Sequence, residues 1–198
     1  MDDTEIGDIL AAAGAPVEIE ELERAFDRAD HGNRVEAIRA LDGARQAALF
    51  EAAEGRDATL DQLVPPDTPP LEEIVHEGHN SLPVFSAFQK RFCRPSGGDA
   101  EELFGYNEQA FRALTGPGYF VAGEVGGQAR IDYRRLPDER LDEWPEIVPN
   151  ERRLGRFVYA GTVDRMRRLS DHVTVGRAYD DDEEPMDNWF LLVRRDPA

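Results

Sequence analysis

Lysine and cysteine are nearly absent from this chain, and each absence removes a class of chemistry. Cys93 is the only cysteine, so no intrachain disulfide and no multi-cysteine zinc or iron–sulfur site can form. Lys90 is the only lysine among 23 basic residues, so a phosphate-cradling loop with its obligatory lysine is excluded. Gly116, Gly118, Gly123, Gly126 and Gly127 lack the strand, loop and helix context of a dinucleotide fold. No apolar run approaches the roughly 18 residues of a spanning helix, and the opening MDDTEIGDILAAAG carries no basic leading segment. A cytoplasmic protein without membrane insertion is therefore expected.

What is abundant is acid. The 198 residues hold 41 Asp and Glu against 23 Lys and Arg, a net charge of −18 that repels phosphate backbones and anionic membranes and argues against nucleic acid as a partner. The nearly all-arginine cations beside abundant Ala and Gly are also what a GC-rich genome or a salt-rich cytoplasm produces. The charge can thus record habitat. The length suits one ordinary domain with a small helical appendage.

Three regions follow from composition. Residues 1–63 read as an acidic helical region: Ile6, Ile9, Leu10 and Ala13 keep a 3.6-residue period, and Ile19, Leu22, Phe26 and Ala29 repeat it. His31-Gly32-Asn33 supplies a stop and an Asn cap with Glu36 three residues on, opening a third helix over 34–53, and a short piece follows over 57–63. Residues 64–70, Val-Pro-Pro-Asp-Thr-Pro-Pro, form a stiff Pro-rich linker. Residues 71–198 then read as an α+β domain. Helices are expected over 71–78, over 82–92 with Val84, Phe85, Phe88 and Phe92 as its apolar stripe, and over 151–169; strands are expected over 102–107, 119–125, 128–134, 172–179 and 188–195. Gly126-Gly127 is a two-residue hairpin loop that pairs Val125 with Gln128. That register places Phe120, Ala122, Ala129, Ile131 and Tyr133 on one face and Tyr119, Val121, Arg130, Asp132 and Arg134 on the other, the face with the look of a ligand pocket.

The segments Arg130-Ile131-Asp132-Tyr133, Asp164-Arg165-Met166-Arg167-Arg168-Leu169-Ser170-Asp171-His172-Val173-Thr174-Val175-Gly176 and Trp189-Phe190-Leu191-Leu192-Val193-Arg194 resemble small calycin-like (lipocalin-like) barrels of the GXWXG type. The resemblance spans 119–195 and lacks the Gly-x-Trp-x-Gly signature itself. It implies an antiparallel barrel or half-barrel with flanking helices, able to hold an apolar or amphipathic molecule, and implies no reaction. The enclosed space is either filled by side chains or holds one ligand.

Four groups of residues could carry chemistry. His76 and His79 would share one face of a helix, with Glu72 or Glu73 a turn away, as a candidate metal pair; helix-end capping is the ordinary alternative. Cys93 lies between Arg91 and Arg94, cations that favour a thiolate, although packing alone accounts for a lone cysteine after a Phe-rich stretch. Arg152, Arg156 and Arg167 can share a helical face for an anion or an acidic partner; the alternative is internal pairing with the acidic loop 180–184 and the N-terminal region. Asp132 with Tyr133, Tyr119 and Tyr106 could form an acid–base cluster. The overall expectation is an α+β protein, a helical N-terminal region followed by an antiparallel calycin-like barrel. It would bind a small apolar or amphipathic ligand through Tyr119, Val121, Asp132, Arg134, Gly176 and Trp189, with no resident cofactor. A protein–protein interaction module, using the helical region or the arginine helix, is the first alternative. A metal- or flavin-dependent enzyme is the second.

Overall fold

The computed structural model describes residues 4–11, 18–82, 86–97, 101–109, 116–150 and 161–196. Five helices come first: α1 (Thr4–Ala11), α2 (Ile19–Arg28), α3 (His31–Arg39), α4 (Gly43–Ala52) and the single turn α5 (Leu60–Leu63). Eight strands follow: β1 (Ile74–Asn80), β2 (Ala87–Cys93), β3 (Glu102–Glu108), β4 (Tyr119–Val125), β5 (Gln128–Asp132), β6 (Val163–Arg168), β7 (Val173–Tyr179) and β8 (Pro185–Arg194). Each strand pairs antiparallel with its neighbours in sequence, and β1 pairs with β8, so the sheet closes into a barrel and has no free edge. Among the described residues no helix is long and apolar enough to cross a membrane.

The β4–β5 hairpin has the expected register. Val125 pairs with Gln128, and Gly126 and Gly127 both take positive φ, 62° and 85°, as a two-residue loop with the strands' own twist requires. Ala122, Ile131 and Tyr133 then face the barrel interior, while Val121, Arg130 and Asp132 face out.

Several expected helices are different elements. Residues 71–78 and 82–92 contribute strands β1 and β2, and the described part of 151–169 contains strand β6; residues 151–160, with Arg152, Arg153 and Arg156, lie outside the described residues. In all three strands the alternation was obscured by polar residues on the inner face: His76 in β1, Lys90 in β2 and Asp164 in β6. The helix expected over 34–53 is two helices, because Asp42 caps α4 by accepting the Arg45 N–H at 2.8 Å. Asp30, not Asn33, caps α3, accepting the Asn33 N–H at 2.9 Å. Among the described residues every helix precedes residue 64.

The helices cover one wall of the barrel. Leu22, Phe26, Ile38 and Leu49 share one apolar cluster with Val173, Val175, Leu191 and Val193, the outward residues of β7 and β8. On the opposite wall Trp144, Leu141 and Ile147 strap the outer faces of Cys93, Tyr106 and Tyr119. Asn150 fixes the end of this strap by donating to the carbonyls of Tyr119 (2.7 Å) and Tyr133 (2.8 Å).

Candidate functional site

One end of the barrel is closed. Ala58, Leu60, Leu63 and Val64 enter the interior cluster with Phe92, Leu103, Met166 and Leu192. Backbone bonds hold this plug across strands β5 and β6: Ala58 N–H donates to Met166 O (3.2 Å), Ala129 N–H to Ala58 O (2.7 Å), and Arg168 N–H to Arg56 O (2.6 Å). The segment expected to end a separate helical region therefore supplies part of the barrel's core.

Aromatic rings lie flat over glycines within the barrel. Phe88 covers Gly78, Phe120 covers Gly105 and Phe190 covers Gly176, each pair facing across adjacent strands. A β-carbon at any of the three glycines would fall within 3.0 Å of ring atoms, so small residues there make room for large ones on the neighbouring strand.

A polar cluster sits among these rings. Lys90 Nζ donates to Asn107 Oδ1 (3.2 Å), to Asp164 Oδ2 (3.3 Å) and to the Tyr133 hydroxyl oxygen. Asn107 Nδ2 donates to the Tyr133 oxygen at 3.0 Å. The Tyr133 hydroxyl in turn bonds to the Asp164 carboxylate. Rings surround the amine, with centroids at 4.9 Å for Tyr133 and Phe190, 5.3 Å for Phe120 and 5.6 Å for Phe88. Lys90 is 2% exposed and Asp164 5%, so both charges have left water.

Burial sets the electrostatics. It pulls the Lys90 ammonium below its ordinary range, against the attraction of Asp164. It pushes the Asp164 carboxyl above its ordinary range, against Lys90 and the hydrogen bonds. Both shifts move the pair toward a shared proton. His76 donates from Nε2 to Leu63 O at 2.8 Å, tying β1 to the plug; desolvation pulls its pKa down to about 3, with Arg194 and Lys90 adding to the effect. Its Nδ1 is buried without a partner, as is Thr174 Oγ1.

The odd-numbered strands end, and the even-numbered strands begin, at the end of the barrel opposite the plug. Phe88, one inward position above Lys90 on β2, is half-buried there, as is Asn80, whereas Phe92 below Lys90 is fully buried. Phe88 thus lies between the amine and this end of the barrel.

The residues expected from sequence are dispersed. Val121, Asp132 and Arg134 line an open groove of about 890 Å³ on the outer face of β4, β5 and β6, with Arg130, Arg135 and Glu183. Its three arginines are each paired with an acid: Arg134 with Asp132 (2.9 Å), Arg135 with Glu102 (2.7 Å) and Arg130 with Glu183 (3.5 Å). Tyr119 packs under the strap and donates to Pro145 O at 2.5 Å. Gly176 is inside, beneath Phe190, and Trp189 is outside, against the helices with Arg177 over its ring at 4.9 Å. These six residues do not share one site.

The other chemical groups also separate. His76 and His79 cannot share a helical face, because they stand on a strand; His76 is interior and His79 donates outward to Leu41 O at 3.2 Å. Among the described residues no group of three His, Cys, Asp or Glu could hold a metal. Cys93 is fully buried, and burial, with Glu139 and Glu73 nearby, pushes its thiol up to about 12, the reverse of an activated thiolate. Arg167 lies on strand β6, its guanidinium 4.0 Å from the Phe50 ring and donating to Phe50 O at 2.6 Å. Arg165 pairs with Glu183 of the acidic loop and Arg168 with Glu23 of α2, each at 2.6 Å. Asp132 and Tyr133 point to opposite sides of β5, so no cluster joins them.

Sequence reasoning named Tyr133 for another cluster and missed Lys90, Asn107 and Asp164. The available signal was compositional: the chain's single lysine. Comparison with protein-family models, with curated proteins and with solved structures finds no match.

Proposed function

We propose that this protein binds one small amphipathic molecule inside its barrel, toward the end opposite the plug. The polar head would meet Lys90, Asn107, Tyr133 and Asp164, and the apolar body would lie against Phe88 and Phe190. The supporting observation is the composition of the interior: a hydrogen-bonded polar cluster ringed by aromatic side chains, one layer below a half-buried Phe88. Pockets that hold small molecules combine apolar walls with a few convergent polar groups, and a barrel of eight strands has room for either packed side chains or one small ligand. The calycin-like resemblance belongs to this proposal, because it implies a barrel able to hold an apolar or amphipathic molecule. A cytoplasmic location belongs to it as well, since a lone buried thiol needs no oxidising compartment.

Native mass spectrometry of protein purified from its source, compared with the mass after denaturation, tests the reading. A stoichiometric small molecule is expected. In parallel, 1-anilinonaphthalene-8-sulfonate should bind saturably at one site. Ala178→Phe, which fills the interior beside Asp164, should weaken that binding about tenfold. Phe88→Ala changes the same wall without overpacking and should also alter the affinity. A bare protein whose probe binding ignores both substitutions would overturn the proposal and shift attention to the outer groove.

A further inference from the structure

The chain uses arginine for every cation but one, and the exception lies at the centre of the barrel. A buried ion pair contributes little net stability compared with apolar residues of similar volume, so stability alone does not account for Lys90 and Asp164. Nor does charge alone, because arginine would also pair with Asp164, and with a fork better suited to a carboxylate. What lysine offers and arginine does not is an amine that can give up its proton and act as a nucleophile.

The surroundings of Nζ match that chemistry. Asp164 Oδ2, 3.3 Å away, can take the ammonium proton. The Tyr133 hydroxyl touches both Nζ and the Asp164 carboxylate, so a proton can pass among the three groups. Asn107 Nδ2, 3.0 Å from the Tyr133 oxygen, holds that hydroxyl in place. The rings of Phe88, Phe120, Tyr133 and Phe190 stabilise a cation at Nζ whether it is an ammonium or an iminium. The plug closes the far end of the barrel, which limits entry of water.

We propose that Lys90 forms a reversible imine with a small aldehyde or ketone carrying an aromatic or other apolar body, an inference that rests on the binding site proposed above and names its ligand class. Lys90 passes a proton to Asp164, and the freed Nζ electron pair forms a bond to the carbonyl carbon. The C=O π pair moves to oxygen, and one of the two protons on the now cationic nitrogen passes through the Tyr133 hydroxyl to that oxygen, giving a neutral carbinolamine with a lone pair on nitrogen. The Asp164 carboxyl then protonates the hydroxyl, the C–O bond breaks and water leaves. The nitrogen lone pair closes the C=N bond. The product is a protonated imine beside the Asp164 carboxylate, and the sum is ammonium plus carbonyl giving iminium plus water, with no oxidant or reductant consumed.

Benzaldehyde is a suitable probe. The full chain is incubated with it and with sodium cyanoborohydride, which fixes an imine as a stable secondary amine, and the site is located by peptide mapping. Because Lys90 is the only lysine, the α-amino group of the purified chain is the internal reference. One benzyl group per chain at Lys90 is expected, forming about tenfold faster than on N-acetyl-lysine amide. Lys90→Arg should abolish it with the barrel still folded by circular dichroism. Asp164→Asn retains the amine and should slow trapping about tenfold, with partial recovery in Asp164→Glu, which a purely structural acid would not produce. Labelling of Lys90 only after denaturation would overturn the proposal. Benzyl alcohol, which has no carbonyl, separates the two readings: if it displaces 1-anilinonaphthalene-8-sulfonate while benzaldehyde never labels Lys90, imine formation is refuted and binding stands. If neither compound displaces the probe and Lys90 stays unlabelled, both fail.

Discussion

The three glycines beneath aromatic rings give a graded test of how the barrel is packed. An alanine at Gly105 would meet two obstacles within 3.0 Å, the backbone oxygen of Arg91 and the ring of the fully buried Phe120. The oxygen cannot move without disturbing the β2–β3 ladder, so Gly105→Ala should reach the upper end of the overpacking range, about 3 kcal/mol. At Gly176 the close contacts are with the ring of Phe190, which is 4% exposed, and the cost should be about 2 kcal/mol. At Gly78 the new methyl would approach Phe88 to 2.5 Å, but that ring is half-buried and less tightly held than the buried rings of Phe120 and Phe190. There the penalty should be about 1 kcal/mol, partly offset by the loss of conformational freedom in the unfolded chain. In a domain of this size each kcal/mol lowers Tm by about 2–4 °C, so urea titration or calorimetry resolves the order Gly105, Gly176, Gly78. A double-mutant cycle adds a sign: Gly176→Ala should cost less by about 1 kcal/mol in a Phe190→Leu background than in the native one. Equal costs at the three positions, or the largest at Gly78, would refute this packing of rings over glycines.

Other expectations concern single groups. Asp164→Leu should cost about 3–5 kcal/mol by stranding the Lys90 charge, whereas the double variant Lys90→Met with Asp164→Leu should return most of it; urea unfolding measures both. Cys93 should resist 5,5′-dithiobis-(2-nitrobenzoate) in the native protein and react at once on unfolding, and stoichiometric native labelling would contradict its burial. His76 is held neutral with its pKa near 3, so the unfolded chain takes up the extra proton and stability is lost as pH falls below about 6.5. The loss should reach about 2 kcal/mol by pH 5, with His79 and His172, also lowered by burial, acting in the same direction. His76→Asn should flatten that slope in denaturation curves taken between pH 7 and 5.

How far the sequence disclosed this structure depended on what each strand turned inward. The β4–β5 hairpin was legible because its inner face, Phe120, Ala122, Ala129 and Ile131, is apolar and its loop is Gly-Gly. The closing β7–β8 pair was legible for a similar reason, with Val173, Val175, Leu191 and Val193 facing the helices. Strands β1, β2 and β6 were not, because inward positions held by His76, Lys90 and Asp164 interrupt the period-two pattern and leave apolar residues at spacings that also suit a helix. The site expected on the outward face of the hairpin followed from its mixed charge, yet Arg130 and Arg134 already have acidic partners in Glu183 and Asp132.

The two kinds of miss share a cause. Local pattern and tertiary role agree wherever a strand only fills or covers the core, and they conflict where a strand contributes a polar group to the interior. Here the conflict falls on three strands: β1 and β2 are neighbours, while β6 lies across the barrel, and Lys90 and Asp164 meet through its centre. A polar residue on one such strand would be a local cost. Two opposite charges arriving from separate strands, joined by Tyr133 of a third segment and Asn107 of a fourth, require that the sheet close in one register, since a slip by one residue would turn any of them outward. The cluster therefore specifies the closure of the barrel and concentrates its reactive groups in the same place, beneath the half-buried Phe88.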